Sequence, residues 1–136
     1  MKLVPYLHFA GNAEEVLNFY REALGGNIAM ISRYGDSPMP ADADYKNKIL
    51  HARLEFGDDN MLMISDSFKG NPVQTGGNIQ LNVNMSNEKE MEAVFNKMAE
   101  GGQIKMPLAK QFWGSLFGML TDKFGISWLF NCEAKS

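Results

Sequence analysis

The chain has 136 residues, 45% hydrophobic and 21% charged, the balance of a globular domain long enough to bury a core without staples. Thirteen Lys and Arg against sixteen Asp and Glu leave a net charge of −3, with no basic run as a local exception, which argues against nucleic acid and anionic membrane as partners. The single cysteine, Cys132, excludes an intrachain disulfide and a cysteine-built zinc site.

The first element reads as a strand. Leu3, Pro5, Leu7 and Phe9 alternate with Val4, Tyr6 and His8, which predicts one apolar face and one mixed face. A helix follows. Asn12 stands at its N-cap with Glu15 in the capping-box position. Ala13, Val16, Leu17, Tyr20 and Leu24 then make an apolar stripe, and Gly25 supplies a left-handed stop. Three strand-like runs come next, Ile28–Tyr34, Ile49–Phe56 and Met61–Asp66. In the second of these, Leu50, Ala52, Leu54 and Phe56 alternate with His51, Arg53 and Glu55. The intervening segment Gly35–Lys48, rich in Pro and Asp, reads as a surface loop, with a lid as the functional alternative. Residues 67–78 are dominated by turn formers and read as a linker.

Beyond the linker the pattern returns. Leu81–Ile104 aligns on Pro5–Ile28 without a gap, with Phe95 on Phe19, Ala99 on Ala23 and Gly101-Gly102 on Gly25-Gly26. Ile79, Leu81, Val83 and Met85 alternate with Gln80, Asn82 and Asn84; Asn87 and Glu90 cap a helix striped by Met91, Val94, Phe95, Met98 and Ala99. Strand-like runs Gln103–Met106, Gly114–Thr121 and Ile126–Cys132 complete the copy. The expected fold is α+β: two βαβββ modules, residues 1–66 and 79–136, each burying its helix against one face of a mixed sheet. The opposite faces combine polar residues with Val4, Ile64, Trp113, Phe117, Met119 and Leu129, which suits a sheet curved around a cavity better than one facing water.

Candidate chemistry sits on that mixed face. His51 and Glu55 are the candidate acid–base pair, and His8 is a candidate ligand contact. The plainer alternative is that each imidazole only hydrogen-bonds a neighbour. Arg53 suits a carboxylate or phosphonate, or else an internal ion pair with Glu55 or Asp66. Asp66 is a ligand candidate that equally suits capping the linker turn. Tyr6, Gln80 and Asn82 offer hydrogen bonds, while Trp113, Phe117 and Leu129 offer apolar or stacking walls. Trp128 reads as core and Asp122 as a structural turn residue.

The runs PYLHFAG, LHARLEFGDD, LMISD and FWGSLFGMLTDKFGISW together resemble the PhnB-like branch of the glyoxalase/bleomycin-resistance/dioxygenase superfamily, over nearly the whole chain. The resemblance implies eight strands curled round a ligand cavity, in a homodimer. That branch often carries the label 3-demethylubiquinone methyltransferase-like, yet no Gly-rich strand–turn–helix with a following acidic residue is present to hold S-adenosylmethionine. Metal-dependent members use four His or Glu side chains, whose positions fall on Val4, Ile64, Gln80 and Leu129. Three of these have no lone pair to donate, and a neutral Gln is a weak ligand. The expectation is therefore a metal-free protein without a cofactor, binding a small planar or anionic organic molecule. The alternative is an enzyme of lyase, isomerase or dioxygenase type, using His51/Glu55 acid–base chemistry or a non-standard metal site built from His8, His51, Glu55 and Asp66. A protein contact made by the lid or a dimer edge is a third reading. The apolar start of the chain is too short, and too interrupted by Pro5 and His8, to read as a leader, and no window spans a membrane. The expected compartment is the cytoplasm.

Overall fold

The repeat in the sequence is a repeat in the fold. A computed structural model describes residues 1–38 and 41–133 and divides into unit 1, Met1–Gln74, and unit 2, Thr75–Ser136. In unit 1 the order along the chain is β1 (Tyr6–Phe9), α1 (Ala13–Leu24), β2 (Asn27–Arg33), β3 (Ile49–Phe56) and β4 (Asn60–Asp66). The sheet order is β1-β4-β3-β2, with β1 parallel to β4 and the other pairs antiparallel. The α1 stripe packs as its periodicity requires: Val16, Leu17 and Tyr20 are inaccessible, as are Ala52, Leu54 and Ile64 of the sheet. Gly25 ends the helix at φ 72°, where other residues are strained.

Two expectations for unit 1 are corrected. Asn12 makes no side-chain capping bond. The α1 N-terminus is served instead by Asp66, whose Oδ1 accepts from the Gly11 and Ala13 amides, both at 2.9 Å. Its Oδ2 accepts from the Ile49 amide at 2.9 Å. The parallel β1–β4 register sets Phe9 opposite Asp66, which carries the carboxylate to the start of the helix. Ile64, expected on the mixed face, belongs to the core face, because it pairs in register with Leu7 and Ala52. A one-residue slip of this kind moves a side chain to the other side of the sheet.

Unit 2 repeats the topology with β5 (Leu81–Met85), α2 (Glu88–Ala99), β6 (Gln103–Lys110), β7 (Leu116–Thr121) and β8 (Ser127–Cys132), in the order β5-β8-β7-β6. Met91, Met98 and Phe130 are inaccessible, and Phe95 meets Phe130 edge-on at 5.4 Å. Here the predicted cap is made: the Asn87 side chain accepts from the Glu90 amide at 3.0 Å. Cys132 stands opposite Met85 as Asp66 stands opposite Phe9, so each unit satisfies its helix start differently. Trp128 is core, and its indole N–H donates to Asp122 Oδ2 at 2.9 Å. The other Asp122 oxygen accepts from the Phe124 and Ile126 amides, which makes it the turn residue expected. Strand β6 runs on past Met106, since Pro107 is tolerated on the edge strand of the sheet.

Both edge strands carry a bulge at the matching place. Ile28 and Met30 face Leu54 and Arg53, which leaves Ala29 as the extra residue of β2. Ile104 and Met106 face Leu120 and Met119, which leaves Lys105 as the extra residue of β6. Between β2 and β3, the Tyr45 hydroxyl donates to Ser67 O, Lys69 bridges Asp42 and Asp44, and Lys48 Nζ donates to Gly11 O. These bonds fasten the described part of the segment read as a loop or lid; its Met39 and Pro40 lie outside the described residues. No described helix is long and apolar enough to cross a membrane.

Candidate functional site

Strand alternation and register assemble one polar face on the unit 1 sheet. Tyr6 pairs with Met63, and Met63 with Arg53, so Tyr6 and Arg53 share a row across β1, β4 and β3. His8 pairs with Ser65 one row along, and its Nδ1 lies 2.7 Å from Ser65 Oγ. The His8 ring stacks on Tyr6 at 4.4 Å, and the Tyr6 oxygen lies 2.7 Å from His51 Nδ1. Arg53 Nε donates to the other ring nitrogen of His51, Nε2, at 3.2 Å. Tyr6, His8, His51 and Arg53, four of the residues singled out from sequence, therefore form one connected set.

Hydrogen-bond accounting assigns the protons. An arginine only donates, so His51 Nε2 must be an acceptor and carries no proton. The neutral ring then has its proton on Nδ1, where it is donated to the Tyr6 oxygen. Tyr6 keeps its own hydroxyl proton to donate elsewhere. Burial, and then the positive charge of Arg53, push the His51 pKa below its ordinary value, which favours the same neutral ring. Both His51 nitrogens are thus engaged, whereas His8 retains Nε2.

The remaining unit 1 candidates separate from this set. Glu55 is exposed on the same strand, and among the described residues no ion pair joins Arg53 to Glu55 or Asp66. Asp66, expected as a ligand contact or a cap, is 2% exposed with both oxygens accepting from backbone amides, which separates it from this set. Ser65, which alternation alone did not promote, is the missed member, because its role follows from strand pairing across the parallel register.

In unit 2 the corresponding face carries amides, thioether and aromatic groups. Asn82 pairs with Leu129 and Leu129 with Met119, while Asn84 pairs with Asn131 and Asn131 with Phe117. Asn82 Nδ2 donates to Asn84 Oδ1 at 3.3 Å. Gln80 Nε2 lies 3.5 Å from Met119 Sδ, a weak bond. Trp113 precedes β7 in a turn, 52% exposed, with its ring 6.3 Å from Phe117. By strand register Tyr6 and His8 correspond to Asn82 and Asn84, His51 to Phe117 and Arg53 to Met119, so unit 2 replaces the titratable set with amides and apolar groups.

The metal that the superfamily resemblance implies does not fit these donors. Among the described residues no three His, Cys, Asp or Glu side chains gather to hold an ion. Both His51 nitrogens and both Asp66 oxygens are already engaged. The two helix starts are likewise filled by the chain's own side chains, Asp66 and Asn87, and neither follows a Gly-rich loop that would cradle a methyl-donor nucleoside.

A family model described as 3-demethylubiquinone-9 3-methyltransferase matches residues 1–130. The crystal structure of protein PA1353 from Pseudomonas aeruginosa is 42% identical, with a TM-score of 0.88 over 99% of both chains. The PhnB protein from Bacillus cereus is 32% identical, with a TM-score of 0.81 over 97% of this chain and 99% of that one. A glyoxylase/bleomycin resistance protein/dioxygenase domain from Frankia sp. EAN1pec has a TM-score of 0.73 at 10% identity, covering 100% of this chain and 93% of its own, a likeness of fold alone.

Proposed function

This chain belongs to the 3-demethylubiquinone-9 3-methyltransferase-like (PhnB-like) family of the glyoxalase/bleomycin-resistance superfamily, and within it we propose a metal-free protein that binds a small organic anion. One observation carries the reading. His51 is held neutral between Tyr6 and Arg53, and this arrangement leaves the Tyr6 hydroxyl proton and the terminal Arg53 N–H groups as donors on the same face. A planar guanidinium beside a phenolic donor suits a carboxylate or phosphonate, and the absence of an ion pair among the described residues leaves its charge available. In this reading His51 positions the donors. The homodimer and the cytoplasmic location implied by the family belong to the same proposal.

Proton-transfer chemistry is the second reading, and one observation favours it: His8 is oriented by Ser65 and stacked on Tyr6 with Nε2 uncommitted. It moves the acid–base role from the His51/Glu55 pair to His8, because His51 has no free nitrogen. Titration with benzoate and phenylphosphonate, followed at the His51 ring signals so that only this face is read, tests the anion site. Arg53→Met is expected to weaken binding at least tenfold and Tyr6→Phe severalfold, with thermal stability retained. Equal affinity in wild type and Arg53→Met would reject the assignment.

A further inference from the structure

The unit 2 sheet carries an open groove of about 380 Å³, lined by Gln80 before β5, Lys105 of β6, Met119, Leu120 and Thr121 of β7 and Ser127 of β8, with residues 75–77 and Gly125 at one side. That volume lies within the range of small-molecule sites. Its side chains are one cation, three hydroxyls, an amide, a thioether and a leucine, with no carboxylate. Lys105 is the extra residue of the β6 bulge, and a bulge re-aims the side chain it carries. Unit 1 has the same bulge, but there the extra residue is Ala29 and the cation is Arg53 on the neighbouring strand. The unit 2 residue at the Arg53 place is Met119. Each unit thus puts one cation in the same neighbourhood of its own sheet, from opposite sides of the strand pair. At the Glu55 place unit 2 has Thr121, so the carboxylate near Arg53 is replaced by a hydroxyl. Among the described residues no carboxylate pairs with Lys105.

We propose that this unit 2 groove is itself a binding site for a small organic anion, with Lys105 meeting the charge, Thr121 and Ser127 donating hydrogen bonds, and Met119 packing on the apolar body. The inference goes beyond the unit 1 reading and does not rest on it. An ammonium that shares a groove with hydroxyls and an amide attracts an oxyanion without competition from a carboxylate in the lining. The thioether is polarizable and adapts to an aromatic or aliphatic surface, so an acid with an apolar body is favoured over a bare ion.

The test follows the Met119 ε-methyl signal in methyl-labelled protein at low ionic strength, with benzoate and inorganic phosphate as separate probes. Benzoate is expected to shift that signal saturably, phosphate at least tenfold more weakly. Lys105→Met should weaken the benzoate response at least tenfold with the fold intact, since Lys105 is exposed. Arg53→Met should leave it within twofold. A Met119 signal unmoved by benzoate, or a response indifferent to Lys105→Met, overturns the proposal. A response lost in Arg53→Met while Lys105 is intact also overturns it, by showing that the groove does not bind on its own. Phosphate binding as well as benzoate overturns the assignment of an apolar-bodied ligand. Failure of the unit 1 site would appear separately, as unmoved Tyr6 and His51 signals with the Met119 response retained.

Discussion

Replacing Asp66 with Asn isolates what a buried carboxylate does for unit 1. The side chain accepts three backbone N–H groups, two at the start of α1 and one at the start of β3, at 2% exposure. Asn keeps one oxygen for Gly11 and Ala13 but turns an NH₂ toward the Ile49 amide, setting donor against donor. An unsatisfied buried donor costs about 1–3 kcal/mol. Each of the two remaining bonds loses charge assistance, roughly 1 kcal/mol apiece. The expected destabilisation is about 3–5 kcal/mol, of the size of a broken buried network. Urea unfolding followed by circular dichroism measures it, with Asp58→Asn, in the exposed β3–β4 turn, as a control expected to cost less than about 0.5 kcal/mol. A cost below about 1 kcal/mol for Asp66→Asn would refute the claim that this carboxylate, rather than Asn12, organises the helix start. Hydrogen exchange should be accelerated most at Gly11, Ala13 and Ile49.

Three further outcomes follow from the same geometry. Because the folded His51 pKa is depressed, the unfolded chain binds the proton more readily, so this residue removes stability as pH falls through the ordinary histidine range near 6.5. Unfolding free energies from pH 8 to 5 should therefore decline less steeply for His51→Gln than for wild type, and identical slopes would contradict the assignment. Trp128→Phe removes the indole donor to Asp122 and should cost about 2 kcal/mol in chemical denaturation; a neutral result would show that bond to be dispensable. Gly102→Ala would place a Cβ 2.3 Å from Thr121 O and should cost about 2–3 kcal/mol, whereas Gly77→Ala meets nothing within 4 Å and should be near neutral in the same assay.

Much of this was legible in the residues. The alternation of Tyr6 with His8, and of His51 with Arg53, reads directly as a shared face, because the side-chain period of a strand is fixed at two. The Gly-Gly stops and helix stripes located both modules for the same reason: their signals are local. What escaped was non-local. Asp66 serves α1 only because β1 and β4 pair in parallel, and nothing near Asn12 announces a competing acceptor. Ile64 lies on the core face although β4 has too many apolar residues for a clean alternation to reveal it, because register is settled by partners. Lys105 carries no local signal, since a bulge breaks the strand period at that residue.

The central claim is that His51 stays neutral and orients Tyr6 and Arg53 toward an anion. Long-range ¹H–¹⁵N spectra of the imidazoles at pH 7 test it most directly. The account predicts a neutral His51 ring with its proton on Nδ1 and a bare Nε2, perturbed when benzoate is added. A proton on His51 Nε2, or a charged ring at that pH, would contradict it.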